Sequence, residues 1–535
     1  MSELYTKDNR VLSRPRREIG EDCAERLGNL STATASSASA FRINAPLGKR
    51  WLRVRFGANI LSLRRSPGRR VGQEDEMNRY DAIIIGTGQA GPSLAERLAG
   101  SGMQVAVIER GQFGGTCINN GCTPTKTLIA SAYAAHTARR AVDYGVETGA
   151  VKVDMVRVKA RKDSLVERST TSLENWLGTL ANVHIFRGQA RFVSPRTIAV
   201  GTETLAAERV FIDVGGRPYV PDLPGVRQVR YLTSESMMDV DFVPAQLLVV
   251  GGSYVGLEFG QMYRRFGSRV TIIEMAPRLI QREDPDVSEA IRDILAAEDI
   301  EIRLNARCLA LEAAPEGVRV KLHCSAGAPS VPGTHVLLAV GRTPNTDELG
   351  LREAGIETDA HGYIKVDETL ATSAQNVYAL GDCNGRGAFT HTAYNDYEIV
   401  ADNLLNGTHR KVSDRIPIYA LFTDPPLGRL GRTEAEARRD GYEILIGRMP
   451  MSDVPRAREK GETRGFMKVV VDARSKQILG GAILGVGGDE VVHSLVDAMY
   501  GHLPYTVVQH GVRIHPTVSE LIPTLLGELA PLKPG

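Results

Sequence analysis

The chain has 535 residues, too many for a single hydrophobic core, and about three units is the natural expectation. Its 65 basic residues nearly balance 63 acidic ones, for a formal charge of +2, so neither a nucleic-acid partner nor a membrane surface is implied. Only 6 cysteines are present and no apolar run approaches the roughly 18 residues of a membrane span, which fits a soluble enzyme in a reducing cytoplasm.

Residues 1–76 differ from all that follows. From Leu27 to Gln73 there is no acidic residue, small residues crowd Ser31 to Ala40, and arginines gather from Arg53 to Arg70. A transit peptide has this look, but Glu3, Asp8, Glu18, Glu21, Asp22 and Glu25 make the first stretch acidic. The favoured reading is a start placed too far upstream, with Met77 the true beginning; a disordered tail and a targeting segment are the alternatives.

Tyr80-Asp81-Ala82-Ile83-Ile84-Ile85 reads as a buried parallel strand that runs into Gly86-Thr87-Gly88-Gln89-Ala90-Gly91 and then a helix. Such glycines allow a tight turn, close approach of a pyrophosphate and close helix–strand packing, with the helix N-terminus facing the anion. A second strand, Gln104 to Ile108, ends at Glu109, 18 residues past Gly91, where a carboxylate can accept from a ribose hydroxyl.

Next comes Gly115-Thr116-Cys117-Ile118-Asn119-Asn120-Gly121-Cys122-Thr123-Pro124-Thr125-Lys126. Two cysteines this close can cycle between dithiol and disulfide, given a thiolate, a resolving sulfur and an electron source. A structural disulfide or half a zinc site are the alternatives. The other cysteines (Cys23, Cys308, Cys324, Cys383) are scattered, and no second close Cys/His pair offers zinc ligands.

The glycine pattern recurs 165 residues later as Leu247–Val250, Gly251-Gly252-Ser253-Tyr254-Val255-Gly256, a helix through Glu258, and Val270–Ile273 ending at Glu274. Ser253 replaces the middle glycine. Two such units imply two dinucleotides. Glu274 favours NADH over NADPH by accepting from the 2′-hydroxyl and repelling a 2′-phosphate, with Arg278 close enough to argue the other way. Val336 to Val340 reads as another buried strand.

In these motifs, together with Val214-Gly215-Gly216-Arg217-Pro218, Gly341-Arg342-Thr343-Pro344-Asn345, Tyr378-Ala379-Leu380-Gly381-Asp382, Phe422-Thr423-Asp424-Pro425-Pro426 and His515-Pro516-Thr517-Val518-Ser519-Glu520, the chain resembles the flavoprotein disulfide reductases. Phe389 to Tyr397 and Pro455-Arg456-Ala457-Arg458 look most like the mercuric-reductase-like branch that includes the reactive-chlorine-resistance flavoprotein. The resemblance implies an α/β fold with two Rossmann-like units and a C-terminal α+β unit. An FAD domain would span 77–225 and 341–411, an NAD(P) domain 226–340, and a dimerisation domain 412–535.

It also implies roles. FAD would rest on Gly86, Gly88 and Gly91, with Glu109 at its ribose, Asp382 at the ribityl–phosphate region, and Gly115, Thr116, Lys126, Gly215, Gly341, Arg342 and Gly381 in the motifs around it. NADH or NADPH would rest on Gly251, Ser253, Gly256 and Glu274. Cys122 would be the flavin-side thiolate and Cys117 the sulfur that attacks substrate. Lys126 would pair with Glu258, and Tyr254 would be a mobile lid over the nicotinamide pocket. His515, oriented by Glu520, would be the acid–base of thiol exchange and would act on the dithiol of the other subunit of a homodimer. The acceptor would be a small molecule: a disulfide, a thiol-reactive metal ion such as Hg(II) or Cu(II), or a small oxidant. Mercuric reductase carries a further cysteine pair near its C-terminus, and this chain has no cysteine after Cys383. Asn395-Asp396-Tyr397 departs from dihydrolipoamide dehydrogenase. That activity, or a redox sensor without rapid turnover, is the alternative.

Overall fold

The computed structural model describes residues 78–324 and 327–531. The expectation for residues 1–76 and for Met77 lies outside them. Among the described residues no helix is long and apolar enough to cross a membrane.

Asn78–Ile85 forms the first strand, β1, and Gly91–Gly100 the first helix, α1, which buries Leu94, Ala95 and Leu98 against the sheet. Strand β2, Val105–Glu109, pairs parallel with β1, and β3, Val183–Arg187, pairs parallel with β2. Between them lie α2, Gly115–Asn119, α3, Cys122–Arg140, and the long α4, Met155–Thr179. Strands β4, Ala190–Ser194, and β5, Thr197–Val200, form an antiparallel ribbon joined to β6, Glu203–Ile212. The sheet order is β3-β2-β1-β6-β5-β4, with Val377–Ala379 also pairing parallel with β6. Ile83, Ile84 and Ile85 are all buried, as a strand covered on both faces requires.

A second parallel sheet repeats the plan. Its order is Glu301–Arg303, Arg269–Ile273, Gln246–Val250, His335–Leu338 and Tyr231–Leu232, with helices α5, Tyr254–Phe266, and α6, Pro285–Ala296, packed on it. The expected strand through Val340 ends at Leu338, because Ala339 closes against the glycine loop: its N–H donates to Val250 O at 2.8 Å. Two antiparallel strands, Gly216–Pro218 and Arg342–Pro344, carry the chain out of the first unit and back again.

After α7, Thr390–Leu405, a six-stranded antiparallel sheet takes over, ordered Ile418–Leu421, Leu427–Gly431, Ile478–Leu484, Phe466–Asp472, Ile444–Pro450, Ala530–Pro531. Its core joins Leu430, Met467, Val469 and Ile483 to Leu495, Ile522 and Leu525 from the flanking helices. The architecture is therefore α/β, with two Rossmann-like units and a C-terminal α+β unit.

Candidate active site

A cavity of about 640 Å³ opens above the first glycine loop. Its floor works because side chains are missing: Gly86 has φ +103°, and a Cβ there would stand 2.2 Å from Asp213 O. Glycine loop and α1 N-terminus together offer backbone N–H groups to an anion. Of the residues expected at FAD, Gly86, Gly88, Glu109, Gly115, Thr116, Lys126, Gly215, Arg342 and Asp382 line this cavity. Gly91, Gly341 and Gly381 do not; Gly91 stands behind the loop, where a Cβ would be 2.5 Å from Gly86 O. A cavity lined by glycine backbone and by the carboxyls of Glu109 and Asp382 fits a dinucleotide.

The acids are already engaged with the protein. Glu109 Oε2 accepts from Thr87 N at 2.9 Å and Thr87 Oγ1 at 2.7 Å, and its Oε1 accepts from Gly111 N at 2.7 Å. Glu274 does the same in the second unit, taking Gly252 N at 2.6 Å and Ala276 N at 2.7 Å. Each carboxylate therefore shapes its own loop, with lone pairs left for a ribose. Asp382 lies 3.8 Å from Arg342 Nε, and burial pushes its carboxyl above the usual range. Ser253 sits in extended geometry just before α5, and Arg278 Nε is buried without a hydrogen-bond partner.

At the cavity's other end the two cysteines meet. Cys117 lies on the short α2 and Cys122 opens α3, so the turn at Gly121 folds one sulfur over the other; a Cβ on Gly121 would be 2.7 Å from Thr116 O. Both are free thiols. Thr390, the first residue of α7, places its Oγ1 3.1 Å from Cys117 Sγ and 3.4 Å from Cys122 Sγ. The hydrogen bond from Cys117 lowers Cys122 to about 6, helped by Thr390 and the Lys126 charge and opposed by burial. Cys117 moves the other way, raised by that shared hydrogen bond, by burial and by the charge on Cys122. Cys122 is exposed and lines the cavity. The reduced pair is thus a thiolate at Cys122 and a thiol at Cys117.

Lys126, one turn along α3, reaches Glu258 Oε2 on α5 at 2.8 Å and lies 4.5 Å over the Phe422 ring. Glu258 is buried and its Oε1 also accepts from Phe422 N at 3.1 Å. One ion pair thus ties the dithiol helix to the second unit and to the C-terminal unit.

Tyr254 begins α5 and does not line the cavity. Its ring meets Tyr419 edge-on at 5.6 Å and Phe389 at 6.2 Å, with the Arg282 guanidinium 4.9 Å above it. Its hydroxyl is 3.3 Å from Glu283 Oε1, which also accepts from Tyr419 Oη at 2.6 Å. Glu283 is wholly buried and paired with Arg429 Nε at 3.1 Å. Thr390, Glu283, Arg429 and Asp213 were not singled out from the sequence. Thr390 lay inside a quoted motif, whereas the other three carry no local signal.

His515 Nδ1 and Glu520 Oε2 are 2.8 Å apart, so the carboxylate fixes the ring and leaves Nε2 outward. The His515 side chain is 73% exposed and that of Glu520 only 14%. Neither lines the cavity, and among the described residues no histidine does. The neighbouring Val512 and Ile514 are 96% and 79% exposed, an apolar edge typical of a surface that another chain covers.

Residues 80–396 match the family described as pyridine nucleotide-disulphide oxidoreductase, and residues 418–526 match its dimerisation domain. The chain is 35% identical over 452 residues to the probable pyridine nucleotide-disulfide oxidoreductase RclA of Escherichia coli (strain K12), covering 83% of this chain and 98% of that protein. It is 32% identical to a mercuric reductase of Lysinibacillus sphaericus, over 78% of this chain and 76% of the other. It is 33% identical to a dihydrolipoyl dehydrogenase of Thermus scotoductus, over 83% and 96%. Among solved structures it resembles the HOCl-induced flavoprotein disulfide reductase RclA from Escherichia coli, with a TM-score of 0.77 and 34% identity over 84% of this chain and 100% of that one. The Cu(II) complex of that protein gives 0.76, at 34% identity over 84% and 99%.

Proposed function

The chain belongs to the pyridine nucleotide-disulphide oxidoreductases, an enzyme family that uses FAD and NAD(P)H, and from that premise we propose that electrons from NAD(P)H, NADH being favoured, leave it through the Cys117–Cys122 pair. The acceptor is a disulfide, a thiol-reactive metal ion (Hg(II) or Cu(II)) or a small oxidant. FAD held over Gly86, Gly88 and Asp382 would supply two-electron chemistry between the nicotinamide and the cysteine pair, whose reduced form is one thiolate and one thiol. We assign FAD to residues 77–225 and 341–411, the nicotinamide cofactor to 226–340 and subunit contact to 412–535.

The observation that carries this reading is the unequal pair: a Cys122 thiolate beside a Cys117 thiol, bridged by one hydroxyl at the end of the cavity. Cys122 faces the flavin, its thiolate favoured by the Lys126 charge and opposed by that of Glu258, which holds the lysine in place. Cys117 attacks the acceptor. Toward a disulfide, Cys117 loses its proton, bonds to one substrate sulfur and expels the other; Cys122 then attacks Cys117 and releases the second thiol. Two electrons pass and the cysteine disulfide re-forms; one product sulfur takes the proton that Cys117 gave up and the other takes one from solvent, giving two thiols. Cys117 holds its proton tightly, so the reaction needs a base, and among the described residues no histidine lines the cavity. We assign that base to His515 of the partner subunit, held by the partner's Glu520. Tyr254 serves as the lid over the nicotinamide site, and Glu274 reads the ribose.

The acceptor is tested by anaerobic NADH and NADPH oxidation with a disulfide, Cu(II), Hg(II) and a quinone, in wild type and Cys117→Ser. Loss of turnover with every thiol-reactive acceptor in the variant supports the reading. Unchanged turnover with all of them overturns it.

A further inference from the structure

The two glycine loops are copies of one device, and the residue that closes each of them differs. In the first, a Cβ on Gly86 would stand 2.2 Å from Asp213 O; in the second, a Cβ on Gly251 would stand 2.3 Å from Ala339 O. Asp213 N donates to Ile85 O at 2.8 Å and Ala339 N to Val250 O at 2.8 Å. Both residues follow directly on the strand paired with the loop's own strand. The second copy closes its loop with a methyl group at this place. The first copy has a carboxyl group there.

That carboxyl is enclosed. Asp213 is 5% exposed, its Oδ2 accepts from Gly91 N at 2.8 Å, and it lines the cavity. A Cβ on Gly88 would lie 2.9 Å from Oδ2 and one on Gly381 3.3 Å from Oδ1, so the acid stands between the glycine loop and the Gly381–Asn384 turn. The groups around it are acidic. Glu109 faces it from β2, Asp382 and the buried Cys383 thiol from the turn, and Asp396 from α7. The nearby cations are spoken for: Arg342 lies by Asp382 and Arg415 pairs with Asp396. Among the described residues none forms an ion pair with Asp213.

An isolated carboxylate in such a place is costly, so the acid keeps its proton. A protonated carboxyl has a hydrogen to give, whereas an ionised one can only accept. We propose that Asp213 is a cofactor-binding residue that works as a neutral acid, donating its carboxyl hydrogen to the FAD diphosphate laid over the Gly86–Gly91 loop. The inference rests on FAD occupying this cavity. Burial raises Asp213 well above the usual carboxylate range, and Asp382, Asp396 and Glu109 raise it further. Ionisation would remove the donor and set a negative charge beside the diphosphate. FAD affinity therefore falls as pH rises, by up to about tenfold per pH unit above the ionisation of Asp213 in the apoprotein.

The test is equilibrium FAD binding to apoprotein, read by flavin fluorescence between about pH 6 and pH 9, in wild type, Asp213→Asn and Asp213→Ala. The wild-type Kd should weaken as pH rises, relative to Asp213→Asn. Asp213→Asn, neutral and still a donor, should stay within about threefold; Asp213→Ala, the residue of the second loop, should bind more weakly but with an equally flat profile. The same pH slope in Asp213→Asn as in wild type, or a flat wild type, overturns the inference and leaves FAD in the cavity. Failure of wild type to bind FAD at any pH overturns the cofactor assignment along with it. Unfolding of the apoproteins gives a second readout. Because the folded-state value is raised, stability is full below the unfolded value and is lost as pH climbs toward the folded one. Wild type should lose its unfolding midpoint with rising pH relative to Asp213→Asn, and parallel curves would contradict a buried neutral acid.

Discussion

Thr390 is the smallest part of the site with a measurable consequence. Its hydroxyl touches both sulfurs and helps hold Cys122 at about 6 against the burial that pushes the other way. A thiolate exists above that value, so the long-wavelength absorption of a thiolate beside flavin should persist in the reduced holoenzyme down to about pH 6 and fade below it. Thr390→Val removes one hydrogen bond to the thiolate, worth roughly 1.5–3 kcal/mol for a charged acceptor. Its midpoint should therefore rise by about one to two pH units. An unmoved midpoint in a spectral pH titration would show that Thr390 does not support the thiolate. The cysteine pair was legible in the sequence because two cysteines at close spacing suit dithiol chemistry, whereas His515–Glu520 stood out only through the resemblance of its motif to the family. Asp213 was not legible, since its neighbours Gly91, Asp382 and Asp396 are far away along the chain and a lone aspartate before a glycine turn has no periodicity to betray it.

At the level of elements, Tyr254, the second glycine unit and the C-terminal sheet are held by one buried charge pair. Glu283, from the loop before α6, reaches across to Arg429 on the strand Leu427–Gly431 and collects the hydroxyls of Tyr254 and Tyr419. Arg429→Met leaves Glu283 buried without a counter-charge, and breaking such a pair costs about 3–5 kcal/mol. We expect the unfolding transition to drop accordingly, with the Tyr254 contacts loosened at the same time. A transition within about 1 kcal/mol of wild type in denaturant would show that water reaches Glu283 after all. Both βαβ units could be read from sequence because continuous Ile and Val runs feed directly into glycine loops. The clasp could not, because an arginine in a strand and a glutamate in a loop look like solvated surface until the sheet brings them together.

Across the whole molecule, the residues we assign to catalysis lie at two separate places on one chain. The dithiol ends the cavity, while His515 stands outward beside Val512 and Ile514, within residues that match a dimerisation domain. If His515 of the partner subunit serves Cys117, mixing inactive Cys117→Ser chains with inactive His515→Ala chains should restore turnover in heterodimers that hold one intact site. Loss of a general acid–base costs about 10²–10⁴-fold, so the recovery stands well clear of either parent. No recovery after verified subunit exchange would mean that both residues act within one chain. The central claim, that electrons pass through Cys117 and Cys122, is tested most directly by anaerobic NADH titration of the FAD-loaded enzyme. Wild type should take up one equivalent with the appearance of the thiolate–flavin absorption before a second equivalent bleaches the flavin. Cys117→Ser should show that absorption before any reductant is added, and Cys122→Ser should never show it. The same band rising in Cys122→Ser on reduction would contradict the account.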